Sequence, residues 1–271
     1  MIQDISPHML CNQFDPTAVP EPEDFVLLFE GPQLLLGRGG WFPRLEELGE
    51  GSYTYLFTVD KTRYFLAEPP KAIPEGFAFR DVKQLRREQE LPKEQIFAAL
   101  TGKHLADWYR DTRFCGRCGV RMIHSPTERA RKCPACGCTA YPRIMPAVIV
   151  GVKNKDRLLI TRYREGFSHN ALIAGFTEIG ETAEETVARE VMEEAGLRVK
   201  NIRYYKSQPW GIANDLLLGF FCQLDGDDTI RMDERELKYA QWVPREQIQL
   251  QPDDFSLTNE MMSRFKTGAE K

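Results

Sequence analysis

The 271-residue sequence has no uninterrupted apolar stretch of about 18 residues, so it predicts no membrane-spanning helix. Its first residues lack the basic and then apolar build of a secretory signal, and we therefore expect a cytoplasmic protein. A strong net charge is also missing. The formal value of −4 excludes a chain that binds nucleic acid over its whole surface. The length predicts about two domains, large enough to bury a core without disulfide bonds.

Cysteines are scarce outside one short segment. Cys11 and Cys222 stand alone, whereas the other five lie between Cys115 and Cys138. Clustering of this kind in a chain without a secretion signal favours metal binding over disulfide bonds.

The clustered cysteines form two CxxC pairs separated by fourteen residues, Cys115 with Cys118 and Cys133 with Cys136. This pattern predicts a tetrahedral four-cysteine zinc site, and the glycine after each pair allows the backbone to turn toward the sulfur atoms. Cys138 lies outside the pattern. Seven arginines and one lysine lie between residues 110 and 143, so the segment is basic. The zinc is expected to be structural, and a role of the segment in binding nucleic acid stays open.

The sequence predicts an α+β protein with three regions: a β-rich region over 1–110, the cysteine segment over 111–141 and an α/β region over 142–271. In the first region we expect strands on both sides of the Gly31–Pro32 turn, a strand over 52–60 and a helix over 93–111. It contains no catalytic motif. In the third region we expect four strands, over 147–152, 157–161, 202–210 and 216–224, and three helices, over 182–197, 244–250 and 257–268.

The helix predicted over 182–197 is unusually acidic. Glu190, Glu193 and Glu194 are spaced to share one face, where their like charges repel one another. Divalent cations such as Mg²⁺ or Mn²⁺ would relieve this repulsion, and Arg189 can orient one carboxylate. An ordinary solvated acidic surface is the alternative.

The stretch from Gly175 to Leu197 resembles the Nudix signature G-x5-E-x7-R-E-U-x-E-E-x-G-U, in which U is aliphatic. Every specified position matches: Gly175, Glu181, Arg189, Glu190, Val191, Glu193, Glu194, Gly196 and Leu197. The resemblance to Nudix hydrolases covers roughly residues 142–271 and implies an α/β/α sandwich with a mixed sheet. It also implies hydrolysis of a nucleoside diphosphate linked to another group, with metal ions that neutralise the diphosphate and activate water.

The same resemblance implies a set of metal ligands. The carbonyl of Ala174, the carboxylates of Glu190 and Glu194, and the distant Glu236 would bind Mg²⁺ or Mn²⁺. Glu193 would be a further ligand or the general base. The sequence leaves open which glutamate takes the proton, and for Glu236 a solvated position in its charged run is the alternative.

Two features outside the signature resemble the NAD(H) pyrophosphatase branch, namely the upstream cysteine segment and the Ser207-Gln-Pro-Trp210 motif. This branch cleaves NAD(H) to NMN(H) and AMP, some members remove NAD caps from RNA, and members are often homodimers. The resemblance therefore implies a dinucleotide substrate, NAD-capped RNA as a second substrate, a homodimer and no membrane partner. The implied substrate contacts are Glu128, Tyr141, Phe176, Gln208, Pro209, Trp210, Gly211, Ile212, Ala213, Asn214 and Asp215. As an alternative, Tyr141 and Phe176 could be core aromatics, and the assignment of Glu128 stays open.

The substrate motif departs from the branch pattern S-Q-P-W-P-F-P-x-S. Gly211, Ile212 and Ala213 replace the stiff Pro-Phe-Pro, and Asp215 replaces a serine. A carboxylate near a diphosphate should weaken anion binding, so preference for another substrate, such as ADP-ribose or a dinucleoside polyphosphate, stays open. A non-catalytic RNA-binding protein is a third alternative, which the complete set of carboxylates disfavours.

Overall fold

The computed structural model describes residues 1–70, 72–88, 91–165 and 169–270. The chain divides into two compact units. The N-terminal unit comprises residues 2–143 and 211–214, and the C-terminal unit comprises Met1, residues 144–210 and residues 215–271. Within the described ranges, none of the helices has the length and apolar character needed to cross a membrane.

Over its described residues, the N-terminal unit contains a six-stranded sheet and three helices. In chain order its elements are β1 (Leu10–Cys11), β2 (Phe25–Glu30), β3 (Gln33–Gly37), α1 (Leu45–Leu48), β4 (Thr54–Val59), β5 (Thr62–Ala67), β6 (Phe77–Asp81), α2 (Val82–Glu88) and α3 (Lys93–Asp111). The strand order is β1-β4-β5-β2-β3-β6. The predicted strands around the Gly31–Pro32 turn, the strand within 52–60 and the helix over 93–111 are all confirmed.

Gly102 has the lowest helix propensity of the residues in α3. A Cβ atom at this residue would lie 2.2 Å from Cδ1 of Leu27. The glycine therefore lets the helix approach the sheet closely, and this close packing compensates for its low helix propensity.

The cysteine segment adds a small three-stranded sheet to the N-terminal unit. Its strands are β7 (Ile123–His124), β8 (Arg131–Lys132) and β9 (Thr139–Ala140), with β8 in the centre. Each strand has only two residues, which is too little for a sheet to be stable alone.

The C-terminal unit is built on a mixed sheet. Its elements are β10 (Met145–Asn154), β11 (Arg157–Tyr163), β12 (Ile173–Phe176), α4 (Ala183–Ala195), β13 (Val199–Trp210), β14 (Asp215–Leu224), β15 (Leu237–Pro244), a 3₁₀ turn (Arg245–Gln247) and α5 (Leu257–Thr267). The order is β13-β14-β10-β11-β15, with β12 paired to β10. Strands β10 and β14 are parallel and the other pairs are antiparallel. The helix predicted over 244–250 is wrong, because only the 3₁₀ turn forms there.

Strand β10 shows how the two faces of this sheet are covered. Ala147 and Ile149 belong to a core cluster with residues of α5, whereas Val148 and Val150 belong to a cluster with Val187 and other residues of α4. Because side chains alternate between the faces of a strand, the continuous apolar run predicts burial on both sides. The α/β/α sandwich with a mixed sheet is confirmed.

Helix α4 begins and ends where its sequence predicts. Thr182 Oγ1 accepts a hydrogen bond from the Glu185 amide at 3.2 Å, and the Glu185 carboxylate accepts one from the Thr182 amide at 2.8 Å. This capping box supplies partners for amide groups that the first helical turn leaves free. Gly196 has a left-handed conformation with φ of 67° and ends the helix.

Candidate active site

Of the three candidate glutamates on α4, two lie against the sheet. Glu190 is 9% exposed and Glu194 is 2% exposed, whereas the Glu193 side chain is 58% exposed. The expected common face therefore divides into a buried pair and a solvent-facing carboxylate. Buried carboxylates are unfavourable without partners, so the groups around Glu190 and Glu194 decide what this arrangement can do.

Gly175 on β12 makes room for Glu190. A Cβ atom at residue 175 would lie 1.9 Å from Cδ of Glu190, so any side chain here would displace this carboxylate from its position. The glycine of the signature is thus required by the carboxylate fifteen residues later, and β12 and α4 are in direct contact at this point.

Arg189 connects four groups of the signature. Its Nε and Nη2 atoms donate to the two carboxylate oxygens of Glu181 at 2.6 and 2.9 Å, a bidentate pair. Its Nη1 donates to Glu190 at 2.8 Å and to Glu193 at 2.9 Å, and Nη2 also donates to the Phe176 carbonyl at 2.9 Å. These charge-assisted bonds hold the loop before α4 and the carboxylates in one arrangement.

The same arginine explains the charge state of Glu181. The Arg189 guanidinium, together with the Glu178 amide, lowers the pKa of Glu181 to about 2. Glu181 therefore stays ionised over the physiological range and balances the charge of Arg189. It lies on the side of the arginine away from the buried pair, where it orients Arg189.

Tyr163 is a site residue that the sequence analysis missed. Its hydroxyl oxygen lies 3.2 Å from Oε1 of Glu194 and accepts a hydrogen bond from the Ala174 amide at 3.0 Å. The same oxygen lies 3.4 Å from the Ala174 carbonyl oxygen. Tyr163 ends β11 and is 31 positions from Glu194, so no local pattern could reveal the contact.

Burial shifts the titration of both inner carboxylates. Desolvation raises the pKa of Glu194 to about 8, with further contributions from the charges of Glu190 and Glu236. Desolvation also raises the pKa of Glu190, against the lowering effect of Arg189. Glu236 lies in the exposed turn before β15, yet its charge acts on both buried residues. The structure thus brings Glu236 into the electrostatic range of the α4 pair.

The donor set around α4 fits a hard divalent cation. It consists of carboxylate oxygens and a nearby backbone carbonyl, and the mutual repulsion of the carboxylates is what a cation would relieve. The carboxylate oxygens are not gathered in one compact coordination sphere. In the described part of the chain, only the four cysteines form a set of three or more potential ligand side chains whose donor atoms lie within 4.8 Å of one another.

The four cysteines form a compact cluster. The Sγ atom of Cys118 lies 3.4 Å from that of Cys133 and 3.5 Å from that of Cys136, and Cys115 lies 3.6 Å from Cys136. Cys138 is outside this set. The soft thiolates in a closed group of four are typical of a structural zinc site, and the prediction of these four ligands rested on spacing alone.

Each pair of cysteines is folded into the same short turn. The Gly119 amide donates to the Cys115 carbonyl at 2.8 Å, and the Gly137 amide donates to the Cys133 carbonyl at 3.0 Å. Both glycines have positive φ, 73° and 70°, which is the conformation that glycine adopts without strain. The backbone amides of Arg117 and Cys118 also lower the pKa of Cys115, which favours the thiolate that binds metal.

The aromatic and acidic residues expected to contact substrate lie at the surface of their units. Tyr141 is 59% exposed and donates to Glu128 at 3.2 Å within the N-terminal unit, so these two residues are brought together. Phe176 is 51% exposed at the end of β12 in the C-terminal unit. The alternative that Tyr141 and Phe176 are core aromatics is therefore wrong.

Residues 207–210 lie at the end of β13 and have different environments. Gln208 is fully buried, and its side-chain amide donates to the Phe255 carbonyl and accepts from the Leu257 amide, both at 2.7 Å. This side chain holds the strand to the start of α5 and has no surface for a ligand. Pro209 is exposed, and Trp210 packs partly against the core cluster on the α5 side.

Residues 211–214 cluster with the N-terminal unit. A Cβ atom on Gly211 would lie 2.2 Å from the Leu100 carbonyl oxygen, so neither proline nor alanine fits without movement. Ile212 and Ala213 complete the turn, and Asn214 has a positive φ of 64°. Residue 211 is therefore a glycine for a steric reason, because a Cβ atom would collide with the backbone of Leu100.

Asp215 begins β14 and is 6% exposed. Its Oδ1 atom has no hydrogen-bond partner, and desolvation raises the pKa of this carboxyl to about 6. An aspartate on the surface of a nucleotide pocket would be solvated or paired. This one is buried at the start of a strand.

Comparison with known proteins assigns a family to the domain that carries the acidic site and another to the cysteine segment. The sequence profile of the NUDIX domain matches residues 143–265, and that of the NADH pyrophosphatase zinc ribbon domain matches residues 110–139. The chain belongs to the Nudix hydrolase family. It is an enzyme of the family that works with a divalent cation, and its cysteine segment is a zinc ribbon.

Individual proteins similar to this chain include two named relatives and one solved structure. Proteins named NAD-capped RNA hydrolase NudC from Escherichia fergusonii and Shigella flexneri are 39% and 40% identical over 175 residues, which are 64% of this chain and 67% of theirs. A crystal structure of a NUDIX hydrolase from Nitrosomonas europaea has a TM-score of 0.50 at 22% identity and covers 57% of this chain and 90% of its own. The structural likeness supports the fold alone.

Proposed function

We propose that this enzyme hydrolyses the pyrophosphate bond of NAD(H) to give NMN(H) and AMP, and that it also removes NAD caps from RNA. The observation that carries the proposal is the Arg189-ordered carboxylate site joined in one chain to a zinc ribbon of the NADH pyrophosphatase type. The names of the relatives support the same substrate class.

Glu190 and Glu194 are the proposed principal ligands of Mg²⁺ or Mn²⁺, with the Ala174 carbonyl and Glu236 completing the set. Tyr163, which contacts both Glu194 and Ala174, would orient these two donors. When bound, the cation supplies charge neutralisation for the diphosphate and activation of the attacking water. The residues of the chain position the donors and exclude bulk water from Glu194.

Glu193 is the proposed proton acceptor or a further cation ligand. Its carboxylate is exposed and bonded to Arg189 at 2.9 Å, so it can reach water while its orientation is restrained. Glu194 is less suited to accept a proton from water, because it is buried and hydrogen-bonded to Tyr163.

Substrate contact is proposed for Glu128, Tyr141 and Phe176, and for the segment from Pro209 to Asp215. Exposed aromatic rings can stack on a nicotinamide or adenine ring, which supports roles for Tyr141 and Phe176. For Gln208, a positioning role at the end of β13 fits its buried contacts better than direct contact with substrate.

We further propose a cytoplasmic homodimer. The cysteines are free, as expected for zinc binding in a reducing compartment, and homodimers are common in the branch that the sequence resembles. Light scattering coupled to size-exclusion chromatography tests the dimer, which a mass of 31.2 kDa in solution would reject.

The direct test is hydrolysis by the full-length, zinc-loaded protein. Incubation with NADH and Mg²⁺ or Mn²⁺ should yield NMNH and AMP in equal amounts, and NAD-capped RNA should yield RNA with a 5′-monophosphate. The control is the same protein without divalent cation. Absence of NADH turnover at every pH and with either cation would reject the proposed reaction.

A second candidate keeps the same chemistry with another nucleoside diphosphate derivative, such as ADP-ribose or a dinucleoside polyphosphate. The altered segment favours this candidate, because Gly211 and buried Asp215 stand where the branch has proline and serine. Comparison of kcat/KM for NADH, NAD⁺, ADP-ribose and capped RNA separates the two. A clear preference for ADP-ribose over NADH would favour this second candidate over NAD(H) hydrolysis.

A further inference from the structure

One cavity in the N-terminal unit has about 530 Å³ of space, and four of its lining residues are arginines. It lies between helix α3, the zinc ribbon and strands β4 and β5. Arg110 and Arg113 come from the end of α3 and the residues after it, whereas Arg121, His124 and Arg131 come from the ribbon. None of these residues belongs to the Nudix signature or to the proposed substrate contacts.

The two carboxylates in the cavity are already paired with two of the arginines. Glu68 forms an ion pair with Arg113, and Asp107 forms one with Arg110 at 2.8 Å and another with Lys103. Within the ranges that the structure describes, Arg121 and Arg131 have no carboxylate partner. The cavity therefore keeps an excess of positive charge after its internal ion pairs are counted.

Arg131 is the most unusual of these residues, because it is only 7% exposed. Its Nη2 atom donates to the Met122 carbonyl at 2.7 Å, and its Nε atom has no partner. Arg113 and Arg121 line the same cavity, so this buried guanidinium has two like charges near it. A buried cation facing two like charges is costly unless an anion accompanies it.

An aromatic pair forms another part of the wall. The rings of Tyr109 and His124 lie 5.3 Å apart with an angle of 38° between their planes. Desolvation and the charge of Arg131 lower the pKa of His124, which favours the neutral imidazole. A neutral ring pair beside two guanidinium groups that have no carboxylate partner among the described residues provides an apolar face next to an anion site. The volume falls within the range of about 300–1,000 Å³ that is usual for small-ligand sites.

We propose that this cavity binds a phosphate-bearing ligand of mononucleotide size, with Arg121 and Arg131 on the phosphate and the Tyr109–His124 pair beside the base. Guanidinium groups match the geometry of phosphate oxygens and bind them in a bidentate manner. The site is separate from the proposed hydrolysis, since its lining shares no residue with the Nudix signature or with the proposed substrate contacts.

The test is isothermal titration of the full-length, zinc-loaded protein with 5′-UMP, without added Mg²⁺ or Mn²⁺. Uridine and inorganic phosphate are titrated in parallel. Arg121→Gln should weaken UMP binding about tenfold or more, as expected for loss of a charge-assisted contact. Arg117→Gln is the matched control, because Arg117 is an exposed ribbon arginine that does not line the cavity, and its Kd should stay within about twofold.

Arg131→Lys provides a second variant that keeps the charge but loses the planar fork, and it should also weaken binding. Unchanged zinc content and melting temperature establish that each variant is folded. Equal affinity of Arg121→Gln and the unaltered protein for UMP would overturn the proposal. So would phosphate binding as tightly as UMP, or binding of an oligouridylate with no binding of UMP, which would assign the arginines to an RNA-binding surface.

Discussion

In the zinc ribbon, four cysteine sulfurs from two short turns lie within 4.8 Å of one another, whereas the site on α4 gathers its groups from four separate elements. Tyr163 on β11, Ala174 and Gly175 on β12, Glu190 on α4 and Glu236 before β15 are close only because the sheet and helix pack. Two metal-binding regions of one chain are thus assembled by different means.

The difference follows from the chemistry of the donors. Thiolates in CxxC turns need only a few local backbone hydrogen bonds, which the glycines after each pair permit. Carboxylates repel one another and lose hydration when they are buried, so holding Glu190 and Glu194 against the sheet depends on the Arg189 contacts and the Tyr163 hydroxyl. Loss of one cysteine ligand should therefore disrupt the ribbon. The acidic site should lose activity both when a ligand is removed and when a supporting contact is removed.

The largest expected effect concerns the acidic site. Glu190→Gln should lower kcat for NADH on the order of 10³-fold, because it removes one cation-binding charge while keeping the side-chain shape beside Gly175. Steady-state kinetics with Mg²⁺ and circular dichroism are the measurements. Glu184→Gln, an exposed change on the same helix, should leave kcat unaltered. Near-normal kcat for Glu190→Gln would show that the ligand assignment is wrong.

Loss of one cysteine ligand should affect the ribbon as a whole. Cys115→Ser should remove the zinc and expose the ribbon to proteolysis, since the two-residue strands cannot hold it folded without metal. Atomic absorption gives the zinc content, and limited proteolysis followed by mass spectrometry locates the cleavage. Cys138→Ser should retain zinc, because Cys138 lies outside the ligand set. Retention of zinc and of the melting temperature by Cys115→Ser would contradict the four-cysteine site.

A smaller effect should follow from weakening the support of the acidic site. Arg189→Lys removes the fork that binds Glu181, Glu190 and the Phe176 carbonyl together. We expect kcat to fall roughly 10- to 100-fold, with a smaller change in KM. Arg203→Lys, an exposed position on β13, is the matched control. If the two variants have equal kcat, the arginine is not needed for positioning.

The smallest expected effect concerns Asp215 and is seen in stability. Burial raises the pKa of this carboxyl from 3.8 to about 6, so the folded state holds a proton that the unfolded chain releases between about pH 4 and 6. Its contribution to stability is therefore present below about pH 4 and lost as the pH rises through about 6. At pH 8, Asp215→Asn should be more stable than the unaltered protein by roughly 1–2 kcal/mol.

Urea unfolding of Asp215→Asn at pH 5 and at pH 8 measures this difference, which should be larger at pH 8. Asp156→Asn, at an exposed turn of the same unit, should give equal stability changes at both values. A stability gain for Asp215→Asn that does not depend on pH would exclude titration of this carboxyl as the cause. A lower KM for NADH in Asp215→Asn would show that Asp215 also influences substrate preference.

Local sequence predicted the elements better than their contacts. The capping box at Thr182 and the end at Gly196 depend on hydrogen bonds within a few residues, and both are confirmed. The burial of Gln208 and the contact of Gly211 with the Leu100 carbonyl depend on segments about fifty and more than one hundred residues away. No pattern within residues 207–215 could reveal them.

The sequence by itself determined the family, the four zinc ligands and the acidic helix, because these depend on spacing along one or two short segments. Only the tertiary structure decided which carboxylates are buried, why residue 175 must be glycine and that Tyr163 joins the site. The physical reason is that burial and like-charge repulsion depend on what packs around a group. In this chain, the packing partners lie far apart in sequence.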